Sequence, residues 1–182
     1  DRDDLDDLGA SIWIETVKEI KKQSPKTTIE TLIPDFDGRK DLIEEVCNAG
    51  QEVVSHNLET VKRITPWARS RAKYDVSLKT LKIIATTGVV AKSGIMVGLG
   101  ETPDEVIQTL NDMRNSDVQV VTIGQYLQPT KKHLMVKEYV TPEQFESYEL
   151  SGLEMGFRFV ESSPLVRSSY RAEKHVYGNV SD

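Results

Sequence analysis

"AKSGIMVGLGE", residues 91–101, is the stretch on which the fold of this chain turns. An apolar run of strand character, Ile95-Met96-Val97, is bracketed by Gly94, Gly98 and Gly100 and ends on an acid, Glu101. Glycine weakens a strand, since it loses the most conformational freedom and offers no side chain to pack. Three glycines around one strand therefore mark a place where something approaches the backbone closely. Two kinds of neighbour answer to that: a flat ring lying against peptide groups, or a helix packed tightly over the strand.

Outward from this strand, helical and extended patterns alternate. "SIWIETVKEIKKQ" repeats apolar residues at helical spacing, "TIETLIP" (28–34) is β-rich, and "KDLIEEVCNA" is helical again. "EVVSH", "SGIMVG" and "VQVVTIGQYL" read as strands, separated and followed by the helices "VSLKTLKIIATT", "TPDEVIQTLNDMRNS" and "TPEQFESYELSGLEM". Two of these helices open on capping boxes, Thr102 with Glu105 and Thr141 with Gln144, each with proline at the first helical position. Near-continuous apolar strands alternating with helices mean a parallel sheet, either doubly wound or barrel-like. Four clear strands with a helix before the first make an awkward inventory, which places a missing piece upstream of Asp1.

Ligands of parallel α/β domains lie at the carboxyl ends of the strands. Those ends carry Asp35 and Asp37, then His56, Asn57 and Glu59, then Gly98, Gly100 and Glu101, and finally Gln125, Tyr126 and Gln128. Any one of them could be a loop residue or a helix cap, and Asn57 could cap the turn at Leu58. Four polar ends on one rim point to a site. "GLGETP" lacks the third glycine of a dinucleotide fingerprint, and no G-K-[ST] follows it, so what remains is a bare strand edge suited to an adenine.

Composition narrows the function classes. A formal charge of −6 without a dense Lys/Arg block argues against nucleic acid and anionic membrane as partners, and "TKKH" (130–133) reads as a solvated loop. No apolar run is long enough to span a bilayer and no leader pattern opens the chain, so the expectation is a soluble, cytoplasmic protein. The single cysteine, Cys47, falls on the apolar face of its helix and reads as a packed thiol.

The blocks "KSGIMVGLGE", "TIGQYLQPTKKHL", "SHNLETV", "ETLIPDF" and "PLVRSSYRAE" together resemble lipoyl synthases, which are radical S-adenosylmethionine enzymes. The resemblance runs through essentially the whole chain in the right order. It implies a partial parallel (β/α)6 barrel with strands three to six present, a barrel part over 1–160, and a C-terminal tail over 161–182 carrying "RSSY". It also implies a sulfurtransferase that inserts sulfur at C6 and C8 of a protein-bound octanoyl-lysine chain by a 5′-deoxyadenosyl radical. The implied cofactors are S-adenosylmethionine and two [4Fe-4S] clusters, the auxiliary one being the sulfur donor. The implied partner is an octanoylated carrier, either a lipoyl domain or the glycine cleavage H protein.

The family's two cysteine triplets are absent, so the resemblance places this chain in the C-terminal part of such an enzyme, inactive alone. Cofactor contacts carry over to Asp1 and Asp4 for the methionine amine, Asn57 and Glu59 for the ribose, and Gly94, Gly98, Gln125 and Tyr126 around the adenine. Lys92 and Arg71 are candidates for carboxylate contacts on charge alone. The one carried-over metal ligand is Ser169, with Ser168 the neighbouring alternative; no side chain carries over as catalytic. Ser163 and Met135 stand where glycine and proline are usual. Two other readings stay open: a cluster-free pseudoenzyme or carrier-domain binding module, and an aldolase-type (β/α) enzyme, for which only Lys92 approaches a Schiff-base position.

Overall fold

The computed structural model describes residues 2, 4–69 and 71–177. Five strands form one wholly parallel sheet: β1 (Glu30–Leu32), β2 (Val53–Ser55), β3 (Val90–Val97), β4 (Val120–Gln125) and β5 (Phe159–Ser162). Spatial order equals sequence order, β1-β2-β3-β4-β5. Every crossover therefore steps the same way, and because crossovers share one hand their helices gather on one face. This is barrel winding; a doubly wound sheet reverses direction and covers both faces.

Side-chain alternation along β3 shows the two faces. Ala91, Ile95 and Val97 point outward into cores shared with α2 (Lys40–Cys47), α4 (Tyr74–Thr86), α5 (Pro103–Asn115) and α6 (Pro142–Glu154). Val121, Ile123 and Val160 continue that outward face on β4 and β5. The intervening residues Lys92, Gly94 and Met96 face the opposite side, in register with Val120, Thr122 and Gly124 of β4. α1 (Ala10–Gln23) packs on α2, burying Ala10 and Val17, and a single-turn helix, α3 (Thr65–Ala68), precedes α4. No helix among the described residues is long and apolar enough to cross a membrane.

The fifth strand, β5, goes beyond the four that the sequence shows. "FVES" offers only one full cycle of alternation, too short for a periodic signal, and it is ordered by pairing with β4 from Val120↔Phe159 to Ile123↔Ser162. The boundary drawn at residue 160 falls inside this strand. The Thr102 box is reciprocal: the Glu105 amide donates to Thr102 Oγ1 at 3.3 Å and the Thr102 amide donates to Glu105 Oε2 at 2.8 Å. The second box is only half formed: the Gln144 amide donates to Thr141 Oγ1 at 3.3 Å, and the Gln144 side chain makes no return bond. Cys47 is buried on α2 among Phe36, Leu42, Ile43 and Val54, a packed thiol.

Beyond β5 the chain folds back across the helix-free face. An ideal Cβ on Gly124 would lie 2.4 Å from the Val166 carbonyl oxygen, so only glycine lets the tail lie this close to β4. A short helix, α7 (Ala172–Tyr177), then packs near the amino-terminal ends of the strands, with the His175 ring 5.6 Å from that of Phe159.

Candidate functional site

The inward face of β3 and β4 forms the floor of a cavity of about 280 Å³, bounded by Leu32, Asn57, Glu59, Met96 and the tail residues Arg167 and Ser168. Its flattest point is Gly94. An ideal Cβ there would meet Thr122 Oγ1 at 2.5 Å and Asn57 Oδ1 at 3.2 Å, so any larger residue would fill the space between strand and side chains. Glu59 sits at a positive φ of 67° and bridges to Ile95 across β3, donating its amide to the Gly94 carbonyl at 3.0 Å and accepting from the Met96 amide at 2.9 Å. Those two bonds hold its side chain between this cavity and two others. A non-glycine residue in the left-handed region stores strain, and such positions concentrate where a side chain must be aimed.

Gly98 has a different neighbour. It lies at φ +100°, and an ideal Cβ would fall 2.2 Å from Gln125 Nε2 and 2.4 Å from the Glu138 carbonyl oxygen. Here the glycine admits the protein's own chain. Gln125 donates through Nε2 to the Tyr126 and Glu138 carbonyls, both at 3.0 Å, and accepts at Oε1 from the Val140 amide at 2.9 Å. Its amide is thus fully engaged in holding the loop after β4. Glu101 acts similarly, accepting from the amides of Gly98 and Leu99.

Tyr126 donates to the Leu134 carbonyl at 2.9 Å and turns its ring to a larger, more apolar cavity of about 610 Å³. Trp67, Met96, Leu99, Pro129 and Leu134 share that lining, with Glu59, Arg69, Lys132 and His133 as its polar members. A third cavity, about 180 Å³, lies between Asp35, His56, Asn57, Glu59 and Arg69. Glu59 touches all three, which makes it the junction of the site.

Sequence reasoning passed over Arg69. Its Nη1 donates to Ser77 Oγ at 3.0 Å, and His56 Nε2 lies 2.9 Å from the same hydroxyl. His56 Nδ1 sits 2.9 Å from the Ile33 carbonyl, so it must donate there, and Nε2 then accepts from Ser77. Burial keeps this imidazole neutral by lowering its pKa. The histidine expected on the rim is 2% exposed; it borders the third cavity and braces an arginine that reaches two of the three. Thr122 was also missed, although it lies two residues before Gly124 on the same face and opposite Gly94.

The other expected residues scatter. Asp1 lies outside the described residues. Asp4 is exposed and paired with Arg2 at 2.8 Å, a contact that holds its carboxyl down at about 2. Arg71 lines a small cavity of about 90 Å³ with Asp35 and Asp37. Lys92 is on the inward face, but Glu30 takes up its charge through two 2.8 Å contacts. Ser168 borders the Gly94 cavity, whereas Ser169, one residue on, is exposed.

The residues fit the two implied cofactors unequally. The Gly94 cradle, flanked by the Thr122 hydroxyl, Asn57 and Glu59, suits a flat ring with polar edges and a hydroxylated sugar. Iron–sulfur clusters do not fit. Burial pushes the Cys47 thiol up to about 11, the reverse of what a thiolate ligand needs, and it lies in the outer core. No group of three His, Cys, Asp or Glu side chains among the described residues could hold a metal ion.

Comparisons with known proteins bear on the family and the fold. Residues 2–113 match the radical SAM superfamily. The chain is 60% identical, over 97% of its length, to the lipoyl synthase of Parabacteroides distasonis, of which it covers 63%. It is 62% identical over 97% of its length to that of Flavobacterium psychrophilum, covering 61%. It therefore spans about three fifths of the length of these curated relatives. The crystal structure of methylornithine synthase superposes with a TM-score of 0.58, covering 85% of this chain and 52% of that one at 16% identity, which shows the shared fold alone.

Proposed function

Because the chain belongs to the radical SAM superfamily, we propose that it forms the nucleoside-binding part of a lipoyl synthase acting in the cytoplasm. The carrying observation is the Gly94 cradle, an inward strand surface emptied of side chains beneath Asn57, Glu59 and Thr122, with the RSSY tail laid over it. In this reading Gly94 and Met96 would support the adenine of S-adenosylmethionine and Asn57 and Glu59 its ribose hydroxyls. When bound, that group supplies hydrogen abstraction from unactivated C–H bonds, chemistry beyond any protein side chain.

The chain's own residues place the substrate and exclude water. The apolar cavity beside Tyr126 and Leu134 adjoins the cradle through Glu59 and Met96, so an alkyl chain seated there would meet the cofactor at that junction. The substrate is the octanoyl-lysine chain of a carrier protein, a lipoyl domain or the glycine cleavage H protein, and the product carries sulfur at C6 and C8. Gly98 and Gln125 act as supports that fix the loop after β4, and Tyr126 turns its ring to the alkyl cavity. Ser169, or its neighbour Ser168 at the cavity edge, would supply the tail ligand to the auxiliary cluster. These 182 residues hold one cysteine, the buried Cys47, and so do not supply the cysteine ligands of either cluster.

A full-length protein containing this chain, reconstituted without oxygen, tests the proposal. It should bind about eight irons, as two four-iron clusters require, and convert an octanoylated lipoyl domain to the lipoyl form, seen as a mass gain. The isolated 182-residue chain should bind no iron stoichiometrically. Carrier binding by a full-length protein without iron or S-adenosylmethionine consumption would instead support the cluster-free module.

A further inference from the structure

Below the Gly94 cavity the inward face carries a second group of polar side chains that the proposed reaction does not use. Lys92 is 1% exposed, an unusual fate for a lysine. Its ammonium donates to Glu30 Oε1 and Oε2, both at 2.8 Å, and faces His175 Nδ1 at 3.3 Å. Glu30 is itself held by the Ser55 hydroxyl at 2.9 Å. The third member, His175, belongs to α7, 83 residues further along the chain, and is fully buried. A lysine has only hydrogens to give, so Nδ1 must be the acceptor and the ring must be the neutral tautomer protonated at Nε2.

We infer that the Lys92–Glu30 pair is the docking point of the chain's own C-terminal helix, and that His175, seated on it, is the positioning residue that holds the RSSY stretch over the cavity. Three observations converge. First, the imidazole completes the hydrogen bonding of a buried ammonium, so its loss would leave one N–H without a partner. Second, the tail between β5 and α7 touches the sheet at fixed points: the Val166 carbonyl against Gly124, and Arg171 against Glu161 at 3.8 Å. Third, residues 167–170 lie between the first of those points and His175, so the place of Ser168 at the cavity edge depends on both ends of the strap. The 5.6 Å ring contact with Phe159 adds apolar packing but no direction, since it would accept any flat side chain. Direction comes from the Lys92 bond.

Amide hydrogen exchange on the full-length protein tests this without turnover, so its outcome is separate from the fate of the proposed reaction. His175→Leu keeps volume and removes the acceptor; His175→Asn keeps an acceptor near the Nδ1 position. The Leu variant should speed exchange across 163–177 by about tenfold or more while β3 and β4 keep their protection, as expected for loss of a charge-assisted bond in a local opening unit. The Asn variant should stay near the parent. Equal protection of the tail in Leu and parent would overturn the inference, as would equal loosening in Leu and Asn. Failure of both variants to fold would overturn it too, because a latch for the tail is not a determinant of the sheet.

Discussion

The two ends of β3's inward face teach opposite lessons. At Gly94 the strand has shed its side chain and leaves a cavity; two residues earlier, Lys92 fills the same face with a charge that Glu30, Ser55 and His175 surround. The upper half is built to receive something, and the lower half is built to stay shut. A sheet face that carried only emptiness would collapse or flood, and one that carried only ion pairs would bind nothing. The difference identifies which substitutions should cost folding and which should cost binding.

The largest effect is expected at the closed end. Lys92→Met strands the Glu30 carboxylate against an apolar side chain, and breaking one partner of a buried pair costs about 3 kcal/mol or more. Urea unfolding of the full-length protein should show it as a lower midpoint with an unchanged slope. Next comes Gly98→Ala, where a Cβ would meet the Glu138 carbonyl at 2.4 Å and the backbone sits at φ +100°. A loss of about 2 kcal/mol is expected from that clash and strain, read in the same experiment.

Gly94→Ala sharpens the contrast. Its backbone is not in the left-handed region, and the nearest atom to an added Cβ is the Thr122 hydroxyl. Stability should fall by only about 1 kcal/mol, while the dissociation constant for S-adenosylmethionine, measured by calorimetry on the full-length protein, should rise about tenfold or more. A change in stability alone would make Gly94 a packing glycine like Gly98.

The smallest effect depends on pH and touches the closed end only. Burial first, and then the Lys92 ammonium, push the His175 imidazole down to about 4, with Arg158 adding to the fall and Glu30 and Glu173 opposing it. The unfolded chain titrates near the ordinary value of about 6.5. Between those values the unfolded state binds the extra proton, so stability from this group is complete above about pH 6.5 and is lost as pH falls toward 4. Tail exchange should accelerate between pH 7 and pH 5 relative to β4, and His175→Asn should remove that dependence.

Local signals made much of this legible. The Thr102 and Thr141 caps place α5 and α6 to within a residue, and the run Val120–Ile123 reads as a buried parallel strand. The glycines of 94–100 announced close approach, but not by what. Gly94 and Gly98 look alike in sequence, yet one opens on a cavity and the other admits Gln125, because the neighbour is set by a separate strand, β4. His56 does border the third cavity from its strand end, but the partner of its ring, Ser77 on α4, could not be read from its place in the chain.

What the sequence determined by itself is whatever depends on neighbours in the chain: helix caps, apolar periods, turn glycines, and the family resemblance carried by contiguous blocks. The residue pattern alone left barrel and doubly wound sheets open, with the barrel implied by the resemblance; the short strand β5, the bracing of Arg69 by His56, and the seating of His175 on Lys92 were decided only by tertiary structure. The physical reason is one of range. Local conformational preference is written within a few residues, but pairing, burial and charge neutralisation depend on which distant segments the closed chain brings to the same face.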